Sequence, residues 1–301
     1  MKLFYFKDPA GNFGDDLNPW MWPQLVPELQ AVSGRDGWLV GIGTLLNHRL
    51  PADVPLHVMG SGVGYGDRMR QDAQVHFHAV RGHKSAAALG LPADTAITDA
   101  AVLLRTLSVP ASRLPRERVG VMFTGRSLYN YDWEPLCQRL GYAFISCHWS
   151  VERVFHEMQR CDVLLTEAMH GAIVADALRV PWVPITCSEG VLAFKWEDWL
   201  STVDLAYEPS VLTPLYDLQR HWDWRVHAKH HLRRGLAPLG LVARSEVQPP
   251  SDQAQVEMAL RQLQDAAGRP GMLSCESVLD NHVARFERRI AVLRERLNRQ
   301  A

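Results

Sequence analysis

The sequence predicts an α/β protein with two parallel-sheet domains and a helical tail. Short apolar runs of strand length alternate with segments of helical periodicity, which is the pattern of parallel strands joined by crossover helices. The alternation stops at residues 109–118, which carry two prolines and four charged side chains, and then restarts. We therefore expect domains at residues 1–108 and 119–205, a linker between them, and a tail at residues 206–301.

The composition excludes several classes of protein. Of the 301 residues 47% are apolar, which is enough for full buried cores. With 32 basic and 33 acidic residues the formal net charge is −1, so the whole chain has no attraction for nucleic acid or an anionic membrane. No segment approaches the roughly 20 apolar residues of a membrane span, and the apolar start is too short for a signal peptide. Five cysteines without CxxC spacing indicate reduced thiols in the cytoplasm and no structural zinc.

In the first domain, apolar runs end at glycines or charged residues, as buried strands do at turns. The predicted strands are Leu3–Phe6, Trp38–Gly43, Leu56–Gly60, Val75–Val80 and Thr95–Thr98. The turn-rich residues 7–16 lead into a predicted helix from Leu17 to Leu25, and Ser85–Leu89 predicts a second, short helix.

In the second domain, the same reasoning gives a regular alternation of strands and helices. The predicted strands are Val119–Thr124, Tyr142–Cys147, Asp162–Thr166 and Trp182–Ile185, and the predicted helices are Trp133–Leu140 and Val151–Arg160. A further helix follows Thr166, because apolar residues recur there at helical spacing until Pro181 ends it.

In the tail, the sequence pattern predicts helices at Tyr216–Arg234, Asp252–Ala267 and Ser274–Arg299. The last one has an apolar face opposite many arginines. That face consists of Val283, Phe286, Ile290, Val292, Leu293 and Leu297. Such a helix usually docks on its own protein, and the alternatives are a second copy or a peripheral contact at the inner face of the plasma membrane. Just before the tail, Trp196 and Trp199 either pack a helix or form a sugar-stacking platform.

His170 is the first candidate for catalysis. It lies in the loop after the strand Asp162–Thr166, and in a parallel sheet such loops lie at the carboxyl edge, where ligands bind. Glu167 precedes His170 by one helical turn, Gly171 lets another group come close, and an imidazole exchanges protons near neutral pH. The alternative interpretation is a polar residue that caps or packs the start of a helix.

Polar residues also gather at the first strand-to-helix junction. There Asp16 is explained as a helix N-cap and Gly14 as a turn residue, which leaves Asn12 and Asp15 free for another role. A carboxylate beside a helix N-terminus stays ionised, so it suits a base or a hydroxyl acceptor. Asp99, at the end of a predicted strand, adds a second carboxylate. This set suits the binding of a polyol such as a sugar.

Four cations lie where an anion could reach them. Arg81 follows a predicted strand directly and Arg126 lies just past the end of another. Lys84 opens the helix after Arg81, and Lys195 follows the last strand of the second domain. A guanidinium at a sheet edge offers a fork of donors to an anion, and the alternative is a solvated surface cation. The glycine-rich stretch at residues 60–66 lacks the lysine and the spacing of a phosphate-binding loop.

The order of four segments along residues 1–200 is more specific than any one of them. They are Asn12-x-Gly14-Asp15, Val80-Arg81-Gly82-x-x-Ser85 running to Leu89-Gly90-Leu91-Pro92, Asp99, and Ala168-Met169-His170-Gly171. With these segments the chain resembles the polysaccharide pyruvyl transferase family, in the branch of succinoglycan-type exopolysaccharide synthesis.

The resemblance implies two Rossmann-like domains in a GT-B-like arrangement, with phosphoenolpyruvate as donor and a lipid-linked or polymeric glycan as acceptor. The first domain would be the acceptor side, with Asn12, Gly14, Asp16 and Asp99. The second would be the donor side, with Gly171 beside His170. Members of the family typically read Arg-Leu-His-Gly where this chain reads Ala168-Met169-His170-Gly171. Either other cations hold the donor or the donor differs, and by position we expect Arg126, Lys195, Arg81 and Lys84 to hold it.

The leading hypothesis is pyruvyl transfer from phosphoenolpyruvate to sugar hydroxyls, giving a ketal or an enolpyruvyl product, with His170 as the acid and Asp15 as the base. We expect no metal and no cofactor besides this co-substrate, because the sequence shows no cluster of metal ligands. Two alternatives remain open at this point. One is a glycosyltransferase that uses a nucleotide sugar on the same architecture, and the other is a non-catalytic glycan-binding protein.

Overall fold

The computed structural model describes residues 1–30, 37–72, 74–110, 116, 118–187, 190–217 and 249–300. Within them the chain is an α/β structure with two parallel sheets and helices at its C-terminal end, as the sequence predicts. The first sheet consists of β1 (Lys2–Phe4), β2 (Trp38–Val40), β3 (Leu56–Met59) and β4 (Val75–Ala79). The strands lie in this order, and each neighbouring pair is parallel.

The second sheet consists of β5 (Arg118–Met122), β6 (Ala143–Phe144), β7 (Cys161–Thr166), β8 (Trp182–Thr186) and β9 (Ser210–Val211). Its order is β6-β5-β7-β8-β9, again with parallel pairs. The chain leaves β5 toward β6 and then returns to β7 on the other side of β5. Open parallel sheets bind ligands at such a reversal of strand order, outside the carboxyl ends of the strands.

Helices connect most of the strands. They are α1 (Phe13–Leu25), α2 (His83–Ala88), α3 (Gly125–Asn130), α4 (Glu134–Arg139), α5 (Val151–Met158), α6 (Met169–Ala177) and α7 (Ala193–Leu200). Short 3-10 helices span Pro27–Gln30, Ala93–Thr95 and Ala100–Thr106. The strands and helices predicted for the second domain are confirmed with small shifts at their ends, and α3 is an additional helix. The predicted domain bounds and the GT-B-like arrangement stay predictions.

The first helix begins at Phe13 and not at Leu17, because Asn12 is its N-cap. The Asn12 side-chain oxygen accepts a hydrogen bond from the Gly14 N–H (3.1 Å), and the Asp16 carboxylate accepts one from the Asn12 N–H (3.1 Å). Asparagine is among the preferred residues at this position, since its short side chain reaches the free amides of the first turn. The capping role predicted for Asp16 is therefore wrong.

The predicted strand Thr95–Thr98 is also wrong. Only an isolated bridge between Val80 and Ala96 remains of it. The chain enters a 3-10 helix instead, because the Asp99 carboxylate accepts a hydrogen bond from the Ala101 N–H (3.0 Å) and so favours a turn. Asp99 is thus a helix cap within the protein interior.

The tail contains α8 (Gln253–Ala267) and α9 (Glu276–Gln300). Helix α9 docks on the first half of the chain, where Arg105 forms ion pairs with Glu276 (2.8 Å) and Asp280 (2.9 Å). Its buried side consists of Leu279, Phe286, Ile290, Leu293 and Leu297. The protein itself covers this apolar side, so docking on its own chain accounts for the apolar face of the helix. Val292, which the predicted apolar face included, is 59% exposed.

Some predictions about the tail and the linker fall outside the described residues. Residues 218–248 include nearly all of the predicted helix Tyr216–Arg234, and its first two residues are not helical. Residues 111–115 and 117 belong to the predicted linker. Across the described ranges, no helix is long and apolar enough to cross a membrane.

A buried ion pair joins the first half of the chain to α7. Arg81 and Asp198 both have fully buried side chains, and the Arg81 Nε donates to the Asp198 carboxylate (3.0 Å). The other Asp198 oxygen accepts from the Ser85 N–H (2.7 Å). The remaining donors of Arg81 reach the Thr44 hydroxyl and the Val63 carbonyl, each at 2.9 Å. With its guanidinium so occupied, Arg81 is a structural residue, and the structure does not support its predicted contact with a donor.

Trp196 and Trp199 pack in the interior. Trp196 is fully buried and Trp199 nearly so, and both contact the buried Trp182 with ring centroids 6.2 and 5.5 Å apart. Trp196 also stacks on Tyr207 (5.0 Å). The packing interpretation of these tryptophans is therefore correct, and neither is a platform for a sugar.

Candidate active site

A cleft of about 690 Å³ lies at the carboxyl ends of strands from both sheets. The first half lines it with the segments after β1, β2 and β3 and with the start of α1. The second half contributes the segments after β5, β6, β7 and β8, and of these strands β5 and β7 flank the reversal of strand order. The side chains used below are Lys7, Asp15, Arg49, Tyr65, Arg126, His170 and Lys195. Groups that the sequence places far apart therefore meet in one cavity.

His170 lies in the first turn of α6 and borders the cleft with a side chain that is 16% exposed. Its Nε2 is buried and lies 3.6 Å from the Asp99 carboxylate. Its Nδ1 lies against Gly14 of α1, where an added Cβ would be only 2.1 Å from that nitrogen. Gly14 is thus needed for close approach, because any larger residue would displace the imidazole. Gly14 also lines the cleft, and its predicted contact with the acceptor stays a prediction.

Asp15 lines the cleft from the first turn of α1, next to Gly14. Burial raises the pKa of its carboxyl to about 6, and the nearby positive charge of His170 opposes this shift. A carboxyl group with such a pKa exchanges a proton close to neutral pH. Both Asp15 and His170 line this cleft, and both were predicted to act in one site. Asn12 also borders the cleft, whereas Asp16 is occupied at the start of α1.

Asp99 is fully buried behind His170 and does not line the cleft. Its predicted contact with an acceptor sugar is therefore not supported. Because the carboxylate lies against the imidazole, the structure relates Asp99 to His170 and not to the substrate.

Glu167, which precedes His170 by one helical turn, directs its carboxylate to the segments after other strands. One of its carboxylate oxygens accepts from the Thr124 N–H (3.1 Å) and hydroxyl (2.9 Å), and the other accepts from the Cys187 N–H (3.1 Å). Glu167 thus ties together the segments after β5, β7 and β8. Since Thr124 is the N-cap of α3, this network also fixes the start of the helix that carries Arg126.

Gly171 allows α6 to pack closely on the second sheet. An added Cβ would lie 2.5 Å from the Thr166 hydroxyl and 2.8 Å from the Met122 sulfur. The residue borders the cleft, and its predicted contact with the donor stays a prediction. Glycine is required here by the close approach of helix and strand.

Four cations line the cleft: Lys7 and Arg49 from the first half, and Arg126 and Lys195 from the second. The Lys195 ammonium lies 3.2 Å from the Tyr65 hydroxyl, which holds it at the mouth of the cavity. Arg126 and Lys195, two of the residues predicted to contact the donor, therefore line the cleft, and their contact with the donor stays a prediction. Lys84 is not among the lining residues, because it pairs with Glu197 on the outer side of α7.

Comparisons with known proteins address the family of this chain. The sequence profile of the family described as polysaccharide pyruvyl transferase matches residues 49–189. The succinoglycan biosynthesis protein ExoV of Rhizobium meliloti (strain 1021) is 35% identical over 213 residues, which cover 69% of this chain and 67% of that protein. The chain belongs to the polysaccharide pyruvyl transferase family. It is therefore a transferase. No solved structure matches it significantly.

The match to the pyruvyl transferase profile begins at Arg49 and includes Arg126 and His170, but not Asp15. Sequence reasoning did not find Arg49, since it lies in an irregular segment and not directly after a strand. Lys7 and Tyr65 were likewise missed as lining residues. The turn-rich stretch at residues 7–16 and the glycine-rich stretch at residues 60–66 were the available signals, because loops at a sheet edge commonly line sites.

In the described part of this transferase, no group of three or more histidine, cysteine or acidic side chains is arranged to hold a metal ion. The expectation that no metal is required stays a prediction. The cleft instead offers protonatable groups and fixed positive charges.

Proposed function

We propose that this transferase moves a pyruvyl group from phosphoenolpyruvate to two hydroxyls of a sugar during exopolysaccharide biosynthesis and releases phosphate. The observation that carries the proposal is the meeting of His170, Asp15 and four cations in one cleft. The family described above supports the pyruvyl group, and the likeness to a succinoglycan biosynthesis protein supports a sugar acceptor.

The reaction needs an acid, a base and groups that hold anions. A proton adds to the methylene carbon of phosphoenolpyruvate, and the adjacent carbon becomes an oxocarbenium centre. One sugar hydroxyl bonds to that centre and loses its proton, the bond to phosphate breaks, and the second hydroxyl closes the ketal with loss of its own proton. One proton is consumed and two are released, so the net products are the ketal and hydrogen phosphate.

His170 and Asp15 have the chemistry for the proton transfers. His170 borders the cleft at the N-terminus of α6 and would deliver the proton to the methylene carbon. Asp15, with a pKa of about 6, is largely ionised at pH 7 to 8 and would accept the proton of the attacking hydroxyl. The activity that depends on this base should therefore rise as the pH increases through about 6.

The donor would be held by cations from both halves. Ala168 leaves the loop before His170 uncharged, and the N-terminus of α6 alone contributes only about 0.3 to 1 kcal/mol. A hydrogen bond to a charged group contributes about 1.5 to 3 kcal/mol, so the guanidiniums decide the affinity. We assign Arg126 and Lys195 to the donor, and Arg49 takes the place that we predicted for Arg81 on the facing wall.

We further propose that the two sheets form a GT-B-like pair, with the acceptor on the wall of the first sheet. The supporting observation is that the cleft lies at the carboxyl ends of both sheets, as in other open parallel sheets with ligands. We place the enzyme in the cytoplasm, where phosphoenolpyruvate is supplied. Any membrane contact must use a surface other than the covered apolar side of α9.

Phosphate release from phosphoenolpyruvate tests the proposal, with an oligosaccharide of the succinoglycan type as the first acceptor. We expect acceptor-dependent release that is lost in His170→Ala. His83→Ala is the matched control, because this histidine is exposed on α2 away from the cleft and should keep full activity. Thermal shifts with uridine and guanosine diphosphate sugars, but none with phosphoenolpyruvate, would instead favour glycosyl transfer.

A further inference from the structure

Two polar atoms beneath the cleft face each other without hydrogen bonds. They are the Asp99 Oδ2 and the His170 Nε2, 3.6 Å apart, and both are buried without a partner among the described residues. A buried carboxylate oxygen without a donor is costly, because it has lost water and gained nothing in return. The two atoms are complementary when Nε2 carries a proton. A small rotation of the imidazole would close the hydrogen bond, and catalytic hydrogen bonds are often long before substrate binds.

Asp99 has no freedom to turn elsewhere. Its other oxygen accepts from the Ala101 N–H (3.0 Å), where Asp99 caps the 3-10 helix Ala100–Thr106. Residues 100–104 of that helix are buried, and Asp99 itself is fully buried. The carboxylate is therefore held in one orientation, with its free oxygen toward the imidazole.

The two nitrogens of His170 have different surroundings. Nε2 is buried on the Asp99 side, so it cannot reach a substrate in the cleft. Nδ1 lies beside Gly14, on the wall that also carries Asp15. Nδ1 is thus the nitrogen that can exchange a proton with a bound substrate.

We propose that Asp99 is a positioning residue that keeps a proton on the Nε2 of His170, so that Nδ1 gives and receives the catalytic proton. The proposal rests on the proposed function only for the identity of the reaction. The pairing of Asp99 with His170 can be measured without turnover. When Nδ1 has delivered its proton, the neutral imidazole keeps its Nε2–H toward Asp99 and remains oriented.

Asp99→Asn tests the pairing with little change in shape. The Ala101 N–H should retain the side-chain oxygen of the asparagine, so its NH₂ group would face His170. An NH₂ group donates, and Nε2 would then have to accept, which moves the imidazole proton to Nδ1. In ¹⁵N spectra of histidine-labelled protein at pH 8, assigned with His170→Gln, we expect an Nε2–H tautomer in the wild type and an Nδ1–H tautomer in Asp99→Asn.

In turnover, Asp99→Asn should lower kcat about 100-fold or more, which is the usual contribution of a proton-transfer residue, while the KM of phosphoenolpyruvate changes little. The control is Asp162→Asn, an exposed aspartate at the other end of β7, which should leave tautomer and kcat unchanged.

An Nδ1–H tautomer in the wild type, or an unchanged tautomer in a folded Asp99→Asn, would overturn the proposal. The wild-type spectrum keeps the test decisive if Asp99→Asn does not fold. If the tautomer changes as expected but phosphoenolpyruvate is never consumed, the pairing stands and the proposed function fails.

Discussion

Arg81 and Arg126 follow the ends of strands in the same way, yet the fold gives them opposite roles. Arg81, after β4, meets Asp198 of α7 and is fully buried. Arg126, after β5, lies in the first turn of α3 and is exposed at the cleft. The difference comes from what lies above each strand end, which is a helix in one case and the open reversal of strand order in the other. One guanidinium is therefore structural and the other is available to an anion.

The largest expected effect is on folding and concerns Arg81. Arg81→Ala would leave Asp198 buried without its cation, and removing one partner of a buried pair costs about 3 to 5 kcal/mol. Arg126→Ala should change the free energy of unfolding by less than about 0.5 kcal/mol, as exposed substitutions do. Urea unfolding of both variants measures this. Equal stability of Arg81→Ala and wild type would show that the buried pair does not hold α7.

A comparable effect on ligand binding is expected for Arg126. Loss of a charge-assisted hydrogen bond of about 1.5 to 3 kcal/mol should weaken phosphoenolpyruvate binding about 10- to 150-fold in Arg126→Ala. Arg126→Lys should lose less, because it keeps the charge without the fork of donors. Titration calorimetry gives both values and the affinity for the glycan, which should stay near that of wild type. Unchanged donor affinity in Arg126→Ala would place the donor elsewhere.

The pKa of Asp15 gives a further test of the difference between structural and functional groups. Its pKa of about 6 in the folded protein lies above the ordinary value of 3.8, so its contribution to stability is full below pH 3.8 and is lost as the pH rises through about 6. Asp15→Asn should thus be more stable than wild type at pH 8, by about 1 to 3 kcal/mol, with little difference at pH 4. Thermal unfolding across this pH range, with kcat alongside, checks the prediction. A variant that is less stable at pH 8 would show that this carboxylate is a structural group.

Lys84 is expected to show the smallest effect. Its exposed pair with Glu197 lies near the buried pair of Arg81 and Asp198, and exposed pairs contribute about 0 to 1 kcal/mol. Lys84→Ala should therefore leave donor binding unchanged and stability nearly so. A loss of donor affinity similar to that of Arg126→Ala would mean that the cleft extends further along α7.

The local sequence pattern was sufficient to predict the structure around His170. Its strand, turn and helix follow from periodicity and from Pro181, and their position at a sheet edge follows from the parallel connection. The structural role of Arg81 depends on Asp198, which lies 117 positions later in the chain. No local sequence pattern contains this pairing. The same holds for Glu167, whose hydrogen-bond partners lie after other strands, 43 and 20 positions away in the chain.

Side-chain capping explains the remaining differences between the predicted and the observed helices and strands. Asn12 and Asp99 each direct a short side chain to a nearby backbone amide, and this determines where α1 and the 3-10 helix begin. The sequence marks both residues as polar groups near helix starts but does not show which group each one binds. The sequence gives no such signal for Arg49, because the residue lies in an irregular segment without helical or strand periodicity.

The most direct test of the central claim is an NMR measurement of wild-type enzyme with phosphoenolpyruvate and a succinoglycan-type oligosaccharide. We expect a new ketal methyl signal on the sugar, with one phosphate released for each ketal, and neither signal with His170→Ala. Phosphoenolpyruvate that remains intact while the glycan gains a sugar from a nucleotide donor would contradict it.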